Sequence, residues 1–497
     1  MKSNGHSLAI GLAAALAALA ASAAATPALA GAAPMATVHN YVIRVDAGLG
    51  TMHVEANFAR AVASITARSH DAGRYLTDFR NCDPTPQIRM RNQRMILPVD
   101  GIRCMSYTVD LRAAAAGERD NRALAGDNAI VSPSLWLWRP AIDDDTELRV
   151  RFDLPPGIAV AVPWQRAGDE PDTYRITRSP ESASAPAAFG RFDYREIRVP
   201  GAILRVSLMQ PVTPMNDEAI LNWVQAAATD VSLAYGRFPN PSPQVVVIPV
   251  GDSGRGSGAV PFGRVVRDGG ETVELFVNQQ QPLEAFLDDW TATHEFSHLM
   301  LPYLDRQHRW ISEGFAQYYQ NVLLARSGAY DPQRTWQKLY EGFERGRRSR
   351  PELSPNDAAA RRGRGTTMKV YWSGAALALM ADVELRRQSG GRETLDQVLM
   401  RLQSCCLPSA RTWTGPELFT TLDSLAGKPV FMPLYRRYAD TSGFPDTAPL
   451  LAELGLQIED GRVELRRNGR LGNIRGAITE LHPATAHWRE QLAASAR

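Results

Sequence analysis

The sequence predicts a multidomain chain in which an all-β, sandwich-like N-terminal domain is followed by a mostly α-helical domain with a small sheet. Size is the first reason. At 497 residues, 44% of them hydrophobic and 22% charged, the chain has ordinary globular composition and is too long for a single core. The second reason is a series of short apolar and polar alternations between about Val38 and Pro211, punctuated by Pro and Gly, which is the period of two expected of strands. The third is a change of period after Pro214, where Ile220, Trp223, Val224, Ala227 and Val231 fall on one helical face. A formal net charge of +2 leaves no global field to favour nucleic acid or a membrane surface.

From the N-terminus, Lys2 precedes an apolar run from Leu8 to Ala25, and Ala28-Leu29-Ala30 supplies a small-x-small cleavage site. Residues 1–30 therefore read as a secretory signal peptide. The run is shorter than a bilayer span, which disfavours the alternative of a membrane anchor. An exported chain, periplasmic or extracellular, is expected, and the Ala- and Arg-rich composition suggests a bacterium. No later segment is apolar enough to span a membrane.

Residues 36–211 form the β-rich domain. Strands are expected at Tyr41 to Val45, Ile88 to Met90, Ser106 to Leu111, Leu148 to Phe152, Tyr174 to Thr177 and Ile203 to Leu208. No catalytic constellation lies among them, so this domain is expected to flank and partly wall a site in the next. Cys82 and Cys104 sit in neighbouring strands and form the plausible disulfide, worth about 3 kcal/mol if unstrained. Adjacent Cys405 and Cys406 read as buried or bridged thiols, because no further Cys or His stands at zinc-finger spacing.

Residues 212–445 form the second domain. Asn216 or Asp217 caps its first helix, and buried strands follow at Val245 to Val250 and Val273 to Val277. Between them Gly251 to Gly258 reads as a turn; with no Gly-Lys-Ser/Thr and no helix opening at its end, it is not a phosphate loop. Helices are expected over Pro282 to Met300, from Ser312 to about Ala325, over Tyr371 to Arg387 and over Thr394 to Leu402. The arginine-dense stretch Arg345, Arg347, Arg348, Arg350, Arg361, Arg362 and Arg364 reads as a solvated loop. Its alternative is a border of the cleft that favours carboxylates. Residues 446–497 are a short C-terminal region without a readable role.

The chemistry concentrates in His294-Glu295-Phe296-Ser297-His298. On a helix, positions i and i+4 share a face, so His294 and His298 reach one tetrahedral metal while Glu295 points at its open position. Phe286, Leu287, Trp290, Leu299 and Met300 make the rest of this segment apolar, as a buried helix requires. Fifteen positions after His298, Glu313 stands alone among aromatic residues in Trp310-Ile311-Ser312-Glu313-Gly314-Phe315-Ala316. A carboxylate in such surroundings needs a counter-charge or a metal.

These two runs resemble the zinc signature of the gluzincin peptidases, the thermolysin-like clan, and in particular the aminopeptidase N and glycyl aminopeptidase families. Tyr371-Trp372-Ser373-Gly374 and the segment from Thr394 look like those families' tyrosine-bearing helix and its sequel. The resemblance covers about residues 215 to 457. It implies a thermolysin-like zinc peptidase domain holding one Zn2+ per chain through His294, His298 and Glu313. Glu295 becomes the general base, Tyr371 the oxyanion donor, and a peptide or protein the substrate. The physics agrees: three ligands leave a position for water, whose proton Glu295 takes. The spacer before Glu313 is shorter than the family's, about 18 residues, and leaves Asp305 and His308 as alternative ligands. Tyr318 and Tyr319 read as core or cleft lining.

A second departure lies at Gly258-Ala259-Val260-Pro261-Phe262-Gly263, where the family carries Gly-Ala-Met-Glu-Asn. Pro261 replaces the glutamate that pairs with a substrate's α-amino group, and a proline cannot hold an ammonium. Endopeptidase or relaxed specificity is therefore expected over strict aminopeptidase action, unless Glu271 or Glu274 supplies a displaced anchor. Two further functions compete with a peptidase: an inactive peptide-binding or scaffold protein that keeps the fold, and a zinc hydrolase of a non-peptide bond.

Overall fold

In the strand Thr37–Val45 every second side chain from His39 onward is buried, and Thr51–Val62 alternates likewise from Met52 to Phe58. Each strand thus has one core face and one solvent face. The computed structural model describes residues 37–482 apart from 83–87, 92–93, 118–127, 169, 181–184, 210–216, 252–257 and 362–364. The expected signal peptide, the division near residue 212, most of the Gly-rich turn, Arg362 and Arg364 lie outside the described residues.

Seven strands form the first sheet, in the order Gln165–Arg166, Thr173–Ile176, Thr146–Asp153, Thr37–Val45, Thr51–Val62, Ile102–Asp110 and Leu76–Asn81. Thr37–Val45 is antiparallel to Thr51–Val62 and parallel to Thr146–Asp153. A three-stranded sheet of Ala129–Val131, Ala187–Gly190 and Ala159–Ala161 shares its core, where Phe152 meets Trp164 and Phe189. The sheet-rich N-terminal half is thus sandwich-like, as expected. Cys82 is bridged to Cys104 and Cys405 to Cys406.

The second sheet runs Asp193–Val199, Ala202–Leu208, Gln244–Pro249, Glu271–Val277 and Phe262–Arg267. Its three central strands are parallel and both edges antiparallel. The hairpin Asp193–Leu208, assigned from sequence to the β-rich domain, belongs to this sheet, so a boundary at 212 would cut it. Strand periodicity cannot tell which sheet a strand joins, and Ala202–Leu208 is buried on both faces like its parallel neighbours. Val245, Val247, Val273 and Leu275 pack towards the helices. Val246, Ile248 and Phe276 pack against Ile130, Ala161 and Ala188 of the N-terminal half.

The segment expected as one helix from Pro282 to Met300 is two, Leu283–Leu287 and Thr291–Ser297, closed by a 3-10 turn at His298–Met300. The Asp289 carboxylate accepts from the Thr291 amide at 2.7 Å and restarts the chain as a helix. The next helix, Arg309–Arg326, begins three residues earlier than Ser312. The short connection before it is pinned to a distant segment, Asp305 N–H donating to Trp413 C=O and Trp413 N–H to Tyr303 C=O, both at 2.9 Å. Arg345, Arg347 and Arg348 are helical, within Pro332–Arg348, and not in a loop. Their charge hides an apolar stripe of Trp336, Leu339 and Phe343, all buried. Arg345 lies over the Trp372 ring at 5.2 Å and Arg347 over Phe444 at 5.4 Å.

The long helix Thr367–Ser389 crosses Arg309–Arg326 at two glycines. A Cβ on Gly314 would stand 2.1 Å from the Gly374 Cα, so only glycine lets these backbones touch. Leu395–Cys406 follows, started by a capping box of Thr394 and Gln397. Leu451, Leu454, Val463, Ile474 and Ile478 of the C-terminal region belong to the same core as the helices. No helix among the described residues is long and apolar enough to cross a membrane.

Candidate metal centre

Helix Thr291–Ser297 is buried throughout, and Phe296 packs edge-on against Phe238 with centroids 5.4 Å apart. That anchorage turns His294 and His298 together towards Arg309–Arg326, their rings 4.8 Å apart and near perpendicular. Glu313 enters from that second helix. Its Oε2 lies 3.5 Å from His294 Nε2 and 3.4 Å from His298 Nε2. One ligand atom from each of the three residues lies within 4.8 Å of the others, the one such group of three or more among the described residues.

The residues fit zinc. Bonds of about 2.05 Å at tetrahedral angles put ligand atoms about 3.3 Å apart, close to the two separations just given. His294 Nε2 and Glu313 Oε2 are also buried without a hydrogen-bond partner, a costly state for polar atoms that a cation relieves. The outer ring nitrogens are occupied: His294 Nδ1 is 2.9 Å from Gln320 Oε1, and His298 Nδ1 is 3.0 Å from Ser312 Oγ. The Gln320 carbonyl oxygen only accepts, so it places the proton on Nδ1 and leaves the Nε2 lone pair facing inward. Gln320 and Ser312 were missed from sequence. Gln320 stands two turns beyond Glu313 on the same helix face, a spacing that could have marked it.

Burial would raise the Glu313 carboxyl, but the charge of His298 and the nearness of both imidazoles hold it well below the usual carboxylate range. Glu295 goes the other way. Burial pushes it up to about 7, with His294 opposing and Glu313 reinforcing the shift. Its side chain abuts Gly263 on the edge strand Phe262–Arg267, where a Cβ would fall 2.6 Å from Glu295 Cγ. The Tyr371 ring stacks on His294, 5.5 Å between centroids and 8° from parallel. The negative charge of Glu313, then burial, raises the Tyr371 phenol well above its ordinary range, which keeps it a proton donor.

The other sequence candidates lie elsewhere. His308 uses both ring nitrogens, with Asp305 Oδ1 at 2.8 Å and Tyr435 Oη at 2.9 Å, and Asp305 caps the turn beneath it. Tyr318 and Tyr319 are buried and donate to Asp382 and Asp396. Glu274 is paired with Arg264, and Glu271 with Arg267 at 2.7 Å, so both candidate anchors already carry a guanidinium. The Gly258 to Gly263 segment does border the site: Thr291 Oγ1 donates to the Val260 carbonyl at 3.3 Å, immediately before Pro261 and the edge strand.

Residues 302–373, which include Glu313 and Tyr371, match the M61 glycyl aminopeptidase family model. Among solved structures, the chain is similar to an aminopeptidase N family protein from Idiomarina loihiensis, with a TM-score of 0.59 and 13% identity over 85% of this chain and 79% of that one. It is also similar to a mutant of the M1 zinc metallopeptidase from Deinococcus radiodurans, with a TM-score of 0.51 and 12% identity over 83% and 96%. The latter enzyme was also solved with a Tyr-Ser-Ala substrate, at a TM-score of 0.50 and 12% identity over 83% and 96%. No curated protein matches the sequence. Identities this low speak for the fold alone. The family match and the shared fold thus make the chain similar to aminopeptidase-like peptidases.

Proposed function

We propose that the chain is an exported zinc-dependent peptidase in which His294, His298 and Glu313 hold the metal. The observation that carries this reading is the convergence of their ligand atoms at near-tetrahedral spacing, with two of the atoms buried and unpartnered. A zinc ion bound there supplies a Lewis acid that acidifies water and polarises a carbonyl. Glu295, buried on the same helix as His294, takes the proton of the attacking water and returns it to the departing amine. Tyr371 donates its phenolic proton as a hydrogen bond to the developing oxyanion. Gln320 and Ser312 keep the two imidazoles oriented. Export rests on residues 1–30 of the sequence.

The test pairs two variants with metal analysis and digestion of a broad peptide library. Glu295→Gln is expected to keep one zinc per chain and lose nearly all turnover, since only the base is removed. Glu313→Ala is expected to lose the metal. Normal turnover in the first, stoichiometric zinc in the second, or zinc without any peptide cleavage in the unmodified enzyme would each overturn the reading.

A further inference from the structure

On Arg309–Arg326 one stripe faces the metal centre. Gln320 holds His294 and is buried, Ala316 is buried one turn nearer the N-terminus, and the Glu313 side chain is 25% exposed. Residues 309, 313, 316 and 320 follow helical spacing, so Arg309 continues this stripe one turn further towards solvent. It is exposed, and among the described residues its guanidinium has no ion-pair or hydrogen-bond partner. The arginines deeper in the same domain differ: Arg267, Arg326 and Arg386 each meet a carboxylate. The exposure of Arg309, one turn from the partly exposed Glu313 side chain, puts it at the solvent end of that stripe.

We infer that Arg309 is a specificity-determining residue that binds a substrate carboxylate within two residues of the bond to be cut. The inference rests on the peptidase reading given above. Four residues of helix span about 6 Å, roughly the length of two residues of extended peptide, so a substrate whose carbonyl lies at the metal brings its near neighbours under Arg309. A planar guanidinium with a free fork of donors is suited to a carboxylate and supplies a charge-assisted pair where Lys would offer only a point charge. That carboxylate has two possible sources, an Asp or Glu side chain flanking the bond, or the C-terminus of a short peptide.

The experiment uses the zinc-loaded full chain and matched peptides. One series carries Glu or Gln at each of the two positions on either side of the cut; the other ends in a free acid or an amide. The unmodified enzyme is expected to favour one carboxylate form by about tenfold in kcat/KM, and the series in which the preference appears identifies the source. Arg309→Gln should bring that ratio to about one, Arg309→Glu should invert it, and Arg309→Lys should restore part of it. A preference that survives in Arg309→Gln, an absent preference in the unmodified enzyme, or an equal fall on both peptides overturns the inference. If the unmodified enzyme holds zinc and cuts nothing, it is the peptidase reading that fails. Calorimetric binding of the Glu and Gln peptides to the unmodified chain and Arg309→Gln then decides the inference, equal affinities refuting it.

Discussion

Gly263→Ala tests whether the position of Glu295 governs turnover. The added Cβ would lie 2.6 Å from Glu295 Cγ, 3.0 Å from Thr291 Cγ2 and 3.1 Å from Glu295 Cδ. Carbon atoms settle at about 3.5 Å or more, so the carboxylate arm must retreat by roughly 0.9 Å or the strand must move outward by as much. Thr291 and Glu295 are one turn apart on a buried helix, and the strand is tied along its length to Glu271–Val277, so neither side yields easily. A misplacement of about 1 Å at a reacting group costs about 100-fold. None of the three atoms nearest the new methyl group belongs to His294, His298 or Glu313. The variant should therefore hold one zinc per chain, lose about 1–3 kcal/mol of stability to overpacking, and fall about 100-fold in kcat. Zinc content, thermal melting and steady-state kinetics on one peptide check the three parts. A kcat within about threefold of the unmodified enzyme, with zinc and fold retained, would show that Glu295 is not the group whose placement limits the reaction.

Tyr371→Phe should fold and keep its metal, yet fall about 100-fold in kcat with little change in KM; an unchanged kcat would make Tyr371 a packing residue. Gln320→Leu removes the acceptor that orients His294 and should weaken zinc binding about 10- to 100-fold in a competition titration, with unchanged affinity refuting the orienting role. A peptide offered in free and N-acetylated forms should be cut in both, at internal bonds, because Pro261 holds no ammonium and Glu271 and Glu274 are already paired. Cleavage of the free form alone, at its first bond, would sink that expectation and require another acid.

Much of the site could be read from sequence because its side chains are chemically conspicuous. Two histidines at i and i+4 and a lone carboxylate among aromatic residues have few other uses, and helical geometry gives their directions without a tertiary model. The helix and strand positions near them were legible for the same reason, since periodicity is local. What escaped was everything set by partners distant in sequence. The break at residues 288–290 depends on where the Asp289 carboxylate turns, and the membership of Asp193–Leu208 depends on which sheet is near. The helix Pro332–Arg348 was hidden differently: its arginines dominate the composition, while the buried stripe that makes it helical occupies few positions. Gln320 and Arg309 have ordinary side chains, and only their place on the Glu313 stripe gives them meaning.

The geometry of the centre depends as much on missing side chains as on ligands. Glu313 adjoins Gly314 and Tyr371 stands one turn before Gly374, the two residues at which their helices touch, so the carboxylate and the phenol are held at a fixed separation. A side chain at either glycine would wedge the helices apart and carry the phenol off His294, even with His294, His298 and Glu313 unchanged. Glu295 is limited in the same way by Gly263, whose strand is held from behind: Glu274, fully buried, pairs with Arg264, and Phe276 enters the core shared with the N-terminal half. The N-terminal half thus packs behind the sheet whose edge strand abuts Glu295. On the proposed mechanism, mutations at that interface should lower turnover through Gly263 while zinc content, read by metal analysis, is kept.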